Sequence, residues 1–119
     1  MDAFVEWLRA QLDEDDRIAR EAKAGPWHSD GGSVYARHPT DEVVRYSESA
    51  EHIAGHDPVR VLREVEAKRQ LLAQYAEVAD NDVDEVEYAH GWANALGTAV
   101  RLLALPYADR PGYREEWRP

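Results

Sequence analysis

Two histidines four residues apart are the residues whose types and spacing most resemble a chemical site. His52 and His56 lie in the segment SAEHIAGHDPVRVLREVEAKRQLL, residues 49–72. On a continuous helix this spacing places both imidazoles on one side, where they could bind a metal ion. However, Gly55 is expected to break the helix, no glutamate stands in the zinc-protease arrangement, and a third ligand would have to come from elsewhere. We therefore expect no metal and no cofactor, and either histidine could simply hydrogen-bond at the helix junction.

Two charged residues fall inside apolar helical faces. On a helical wheel Asp15 lies in line with the apolar residues of the first predicted helix, and Arg69 lies among those of the central helix. Burying a lone charge is costly, so we expect Asp15 and Arg69 to form a structural ion pair that joins the two helices, with Asp16 as the alternative partner for Arg69. Arg69 could instead bind a ligand or extend to the surface.

The rest of the sequence offers little catalytic chemistry. It contains no cysteine, which excludes disulfides and thiolate catalysis, and its glycines and serines form neither a phosphate loop nor a nucleophile elbow. The acidic run at residues 13–16 is typical of a solvated helix face, although such a run could also bind a metal or imitate DNA. The sequence therefore favours a protein that is not an enzyme.

Composition and charge restrict the class of protein. The 119 residues fit one domain, and 44% hydrophobic with 32% charged residues is ordinary for a folded chain. With 24 acidic and 14 basic residues the net charge is -10, so direct binding to nucleic acid or to an anionic membrane is disfavoured, whereas a basic protein partner would suit it. The N-terminus does not resemble a signal peptide and no apolar run could span a membrane, so we expect a cytoplasmic protein.

The pattern of apolar residues predicts an α+β fold in which helices dominate. We expect a helix over residues 1–24, a small antiparallel hairpin or three-stranded sheet over 25–48, helices over 49–105 and an aromatic tail over 106–119. Trp27 is the expected anchor of the sheet on the helices. The tail contains Tyr107, Tyr113 and Trp117, which should dock either on the domain or on a partner.

The central helix has the clearest start in the sequence. Asp57 is a favoured N-cap and Pro58 a favoured first helical residue, so we expect a helix from there to about Ala79. A turn at residues 80–82 leads to a last helix near 83–105, which forms an antiparallel helical hairpin with the central one. Trp92 lies in the predicted buried stripe of that last helix. The central helix carries more apolar surface than one neighbour can cover, which favours a homodimer formed through the hairpin.

Two segments resemble a known family. AEHIAGHDPVRVLREVEAKRQLL and YADRPGYREEWRP resemble small actinomycete and actinophage proteins that are classified only as a domain of unknown function. The resemblance covers nearly the whole chain. It implies a phage or mobile-element setting, in which small acidic proteins act by binding host proteins, and it implies no reaction, cofactor or catalytic residue.

The sequence leaves three functions to compare. The first is a small acidic protein-interaction module that is not an enzyme. The second is a ligand- or metal-binding protein that uses His52, His56 and Arg69 beside Trp27. The third is an acidic mimic of nucleic acid, which would need carboxylates in two spaced rows on its surface.

Overall fold

The structure, a computed structural model, describes residues 2–80 and 87–119. Helices make up 63% of the chain and strands 8%. The elements are, in chain order, α1 (Ala3–Glu21), β1 (His28–Asp30), β2 (Ser33–Tyr35), β3 (Glu42–Val44), α2 (Ala50–Gly55), α3 (Pro58–Asp80), α4 (Glu87–Ala104) and two short 3-10 helices, Leu105–Tyr107 and Glu115–Trp117. The predicted α+β fold, with an N-terminal helix, a three-stranded sheet and then helices, is confirmed.

The chain divides into two compact units. The sheet unit is the continuous segment Glu14–Val65, and the tail unit combines Met1–Asp13 with Glu66–Pro119. Both dividing points fall inside helices, one in α1 and one in α3, so each of these helices contributes to both units. The prediction of a single domain for residues 1–119 stays a prediction.

The sheet unit contains a three-stranded antiparallel sheet in the order β1-β2-β3. Gly31 and Gly32 connect β1 to β2 with φ values of +60° and +86°, a conformation that residues with a Cβ rarely adopt. The two strands β1 and β2 pack on α2, and Val34 in the middle of β2 is completely buried. A sheet of three-residue strands is too small to be stable alone, so packing on the helix holds it in place.

α3 begins where the sequence predicts. Its first residue is Pro58, and the Asp57 side chain caps it, because Asp57 Oδ1 accepts a hydrogen bond from the backbone N–H of Arg60 at 2.9 Å. α3 is described through Asp80 and α4 from Glu87. Most of the predicted turn at residues 80–82, and the predicted start of the last helix, lie outside the described residues.

The tail unit contains an aromatic cluster, to which the C-terminal residues 106–119 contribute Trp117. Trp117 is only 8% exposed and its ring lies 5.3 Å from the ring of Phe4 and 5.5 Å from that of Trp7. The Trp7 indole N–H also donates to the carbonyl of Pro111 at 2.9 Å. Gly112 has a φ of +90°, and a Cβ there would lie 2.9 Å from the Trp7 indole nitrogen. The tail therefore docks on its own chain.

The structure corrects one prediction of a buried apolar residue. Trp92 of α4 is 47% exposed, although it was expected in the buried stripe, and Ile18 of α1 is likewise 51% exposed. In α4 the buried side is defined by Ala93, Val100 and Ala104, which lie about 100° around the helix from Trp92. The apolar arc of α4 is wider than the face that its neighbours cover, so its edge stays in contact with solvent. Across the described residues, no helix has the length and apolar character needed to cross a bilayer.

Candidate functional site

An open pocket in the sheet unit brings together three of the predicted site residues. The pocket has a volume of about 300 Å³ and lies between the second half of α1 and the first turn of α3. Trp27, His56 and Asp15 line it together with apolar side chains from both helices, among them the exposed Ile18. We call it the Trp27 pocket. Its lining is mostly apolar with one carboxylate and one imidazole, which is the usual character of a small binding site.

Asp57 positions Trp27 at this pocket. Asp57 Oδ2 accepts the backbone N–H of Trp27 at 2.9 Å, while Oδ1 caps α3. Gly25 permits the approach, because a Cβ there would lie 2.9 Å from Val59 Cγ2 and 3.0 Å from Asp57 Oδ2. The Trp27 indole N–H donates to the Lys23 carbonyl at 2.8 Å, which fixes the ring near the end of α1. Asp57 is only 8% exposed, and both of its oxygens accept a backbone hydrogen bond.

His52 and His56 come together although the helix ends between them. α2 ends at Gly55, as predicted, yet the ring centroids of the two histidines are 4.2 Å apart with the ring planes 32° from parallel. His56 Nδ1 is 2.7 Å from the carbonyl oxygen of His52. The inference that the break would separate the imidazoles is therefore wrong. Both side chains are exposed.

A complete metal-binding cluster is not formed by the described side chains. Within residues 2–79 and 90–119, no three His, Cys, Asp or Glu side chains are grouped as metal ligands. Asp57 follows His56 in the sequence, but its two oxygens are used by the N–H groups of Trp27 and Arg60. Any metal at the two histidines would thus have only imidazole ligands from these residues.

Arg69 lies in the tail unit, apart in the chain from the other predicted site residues. Its side chain is 36% exposed, and its Nη2 donates to Asp13 Oδ1 at 2.7 Å. Asp13 was not among the partners expected for Arg69. Because Asp13 is 70% exposed, this ion pair is strongly screened by solvent. The predicted pair of Asp15 with Arg69 stays a prediction, as does a binding function for Arg69.

Two surface ion-pair groups, around Arg17 and around Arg118, have shifted pKa values. The hydrogen bond from Arg118, with its positive charge, lowers the pKa of Glu115, and the same pair raises the pKa of Arg118. Hydrogen bonds to Glu14 and Glu21 raise the pKa of Arg17 far above its ordinary value. All of these groups are fully exposed, so the pairs are ordinary features of a solvated surface and do not indicate a catalytic group.

An exposed apolar stripe on α4 was missed by the sequence analysis. Trp92 is 47% and Leu102 53% exposed, and Ala95 and Ala99 lie between them on the helix. The four side chains fall within roughly 80° of one another around the helix axis. Gly91 at one end has open space where a Cβ would stand. We call this surface the α4 stripe.

One feature of the sequence could have revealed the α4 stripe. Residues 88–108 contain no aspartate or glutamate, although the chain has 24 acidic residues in total. A solvated helix in an acidic protein would carry carboxylates on its outer face. The described side chains of α4 therefore form a surface without carboxylates on which apolar residues are exposed.

Comparison with known proteins gives one match. A family model described as "Family of unknown function (DUF6221)" matches residues 1–119. Neither the curated proteins nor the solved structures include a significant match.

Proposed function

We propose that this chain, which belongs over its whole length to this family of unknown function, is a non-enzymatic interaction module. In this proposal it pairs with a second copy through the α4 stripe. The observation that carries the proposal is the exposure of Trp92 and Leu102 on a helix that has its own, separate buried face. A helix with apolar residues on two sides is typical of one that packs between two neighbours. In this proposal the second neighbour is the α4 of another copy.

The charge of the protein favours a second copy as the occupant of this surface. Two chains with a net charge of -10 repel each other, and this repulsion is smallest between surfaces that lack carboxylates. Residues 88–108 contain no carboxylate side chain, and Arg101 is the one lysine or arginine among them. A basic partner would be attracted to the carboxylates elsewhere on the protein and would gain little from this neutral face.

The size of the α4 stripe suggests a weak dimer. From Trp92 to Leu102 a helix rises about 15 Å, so a contact along this length would bury less than the roughly 800 Å² per partner of a standard interface. Trp92 would provide most of the binding energy, since tryptophans in the centre of interfaces are frequent hot spots. The small side chains of Ala95 and Ala99 would let the two helix backbones approach closely.

The experiment compares two substitutions that introduce the same charge at equally exposed apolar residues. Leu102 is 53% exposed in the α4 stripe, and Ile18 is 51% exposed on α1. We expect sedimentation velocity of the unchanged protein, from about 1 to 500 μM, to show a dimer whose population rises with concentration. Leu102→Glu should abolish the dimer, because it places a carboxylate in the apolar contact, whereas Ile18→Glu should leave it unchanged.

Two results would contradict the proposal. One is a protein that stays monomeric up to the highest concentration. The other is a dimer that Ile18→Glu weakens as much as Leu102→Glu does, which would place the contact elsewhere. Circular dichroism of both variants checks that each is folded.

Further parts of the proposal concern the setting of the protein. The resemblance to actinophage proteins supports a phage or mobile-element context, in which a host protein would be a second partner. The acidic surface would suit a basic host protein. A cytoplasmic location is supported by the lack of cysteine in a chain of 119 residues.

A further inference from the structure

The end of α2 holds two imidazoles side by side. His56 Nδ1 lies 2.7 Å from the carbonyl oxygen of His52, and this contact holds the His56 ring against the turn that carries His52. The ring centroids are consequently 4.2 Å apart. Two imidazoles that bind one metal ion in adjacent positions, each with a metal–nitrogen distance of about 2.0–2.1 Å, have centroids roughly 4.5 to 5 Å apart. The observed rings are a few tenths of an ångström closer, so a small rotation of the two exposed side chains brings them to that spacing.

The hydrogen bond of His56 also sets which nitrogen can bind a metal. A carbonyl oxygen only accepts, so the 2.7 Å contact with the His52 carbonyl requires the proton to be on His56 Nδ1. In the neutral ring the lone pair is then on Nε2. An N–H donated from one ring nitrogen to a backbone carbonyl, with the other nitrogen left for the metal, is the usual state of a metal-binding histidine.

Among the described side chains, no third metal ligand accompanies this pair. Both histidines are exposed, so a hydrated ion can reach them without burying charge. The nearby Arg60 guanidinium is engaged by the Gly55 carbonyl at 3.0 Å and by Glu64 at 2.9 Å. The Asp57 carboxylate accepts two backbone N–H groups and so is not a third ligand.

We propose that His52 and His56 together bind one divalent transition-metal ion, with water in the remaining coordination positions. Imidazole nitrogen suits Cu²⁺, Ni²⁺ and Zn²⁺, with Cu²⁺ bound most tightly, and does not suit Mg²⁺ or Ca²⁺. His56 also lines the Trp27 pocket, so the bound ion lies at the rim of that pocket, with its water positions open to an anionic or nitrogen-containing group. This site is independent of pairing through the α4 stripe, because its residues all lie in the sheet unit.

The first test is calorimetric titration of the tag-free full chain with Ni²⁺, Zn²⁺ and Mg²⁺. We expect one Ni²⁺ or Zn²⁺ per chain and no binding of Mg²⁺. His52→Ala and His56→Ala should each weaken Ni²⁺ binding by about tenfold or more, since one imidazole remains. His38→Ala, which removes an exposed histidine from the loop between β2 and β3, is the matched control and should change the affinity by less than about twofold.

A second measurement needs no variant. Electron paramagnetic resonance of the Cu²⁺ complex of the unchanged protein should show coordination by two imidazole nitrogens. A single nitrogen, or Ni²⁺ binding that is the same in the His52, His56 and His38 variants, would overturn the proposal. The Leu102→Glu variant should bind Ni²⁺ as tightly as the unchanged protein, and this separates the outcome from that of the proposed dimer.

Discussion

At the scale of single residues, Asp57 organises the sheet unit. It is a buried carboxylate that caps α3 with one oxygen and holds the backbone of Trp27 with the other. The bond with Trp27 connects residues that are 30 positions apart in the chain, so one side chain fixes both the start of a helix and the entry to the sheet. The positive end of the α3 dipole further stabilises the negative charge there.

Replacing Asp57 should therefore cost more than the loss of an ordinary cap. In Asp57→Ala, loss of the cap costs about 1 kcal/mol and the part-buried N–H of Trp27 loses its partner at a further cost of about 1–3 kcal/mol. We expect the free energy of unfolding, measured by urea denaturation, to fall by roughly 2–4 kcal/mol.

Ser49 provides the matched control for Asp57. It occupies the N-cap position of α2 but its side chain makes no capping hydrogen bond. Ser49→Ala should accordingly change the free energy of unfolding by less than about 0.5 kcal/mol. Equal destabilisation by the two substitutions would show that Asp57 acts only as a generic N-terminal residue.

Sequence reasoning identified Asp57 as the cap of α3 but not as the hydrogen-bond partner of Trp27. The Asp57-Pro58 pair predicts the helix start because capping depends on neighbouring residues alone. The bond to Trp27 depends on the tertiary fold, and no local pattern encodes it. The same limit applies to the histidines: the end of α2 at Gly55 was predictable, but the contact of the His56 ring with the His52 carbonyl was not.

At the scale of elements, α4 shows how far an apolar pattern can be interpreted. Apolar residues cover a wide arc around α4, but their pattern in the sequence does not show which part of this arc a neighbouring element covers. Ala93 is buried and the adjacent Trp92 is not, because neighbours in the fold cover only one edge of the arc. The predicted order of an N-terminal helix, a small antiparallel sheet and then helices is confirmed, because turn residues and caps mark these elements locally.

The aromatic tail is the second element whose energetics can be tested. Trp117 packs against the rings of Phe4 and Trp7, so Trp117→Ala should lower the free energy of unfolding by about 3–5 kcal/mol. Tyr113 also contacts Trp7, but its buried hydroxyl has no hydrogen-bond partner among the described residues. Tyr113→Phe keeps the ring and removes that hydroxyl, so it should be neutral or slightly stabilising.

Chemical denaturation followed by tryptophan fluorescence distinguishes these two variants. A tail that contributes little to the fold would leave both close to the unchanged protein. Strong destabilisation by Tyr113→Phe would instead show that its hydroxyl is bonded in solution.

At the scale of the whole molecule, the excess of negative charge governs association. Two copies with a net charge of -10 repel one another over the Debye length, which is about 10 Å at 0.1 M salt and shorter at higher salt. The α4 stripe itself contains no ion pair that salt could weaken. Screening should therefore strengthen the proposed dimer.

Salt dependence thus tests the character of the contact. Between about 0.05 and 0.5 M NaCl, we expect the dissociation constant from sedimentation equilibrium to decrease severalfold. A dimer held by ion pairs would weaken over the same range. An increase of the dissociation constant with salt would exclude an apolar, carboxylate-free interface.

The division of the chain into two units also determines the order in which its parts can fold during synthesis. The sheet unit is one continuous segment, whereas the two parts of the tail unit are separated in the chain by the entire sheet unit. Phe4 and Trp7 are synthesised before the sheet unit, but the ring that covers them belongs to Trp117, which follows it. Such distant contacts raise the contact order and require a long loop to close before they stabilise anything. On the ribosome the sheet unit can fold first. The apolar face of the first turns of α1 stays exposed to solvent until residues 113–117 have emerged, and until then it needs protection from aggregation.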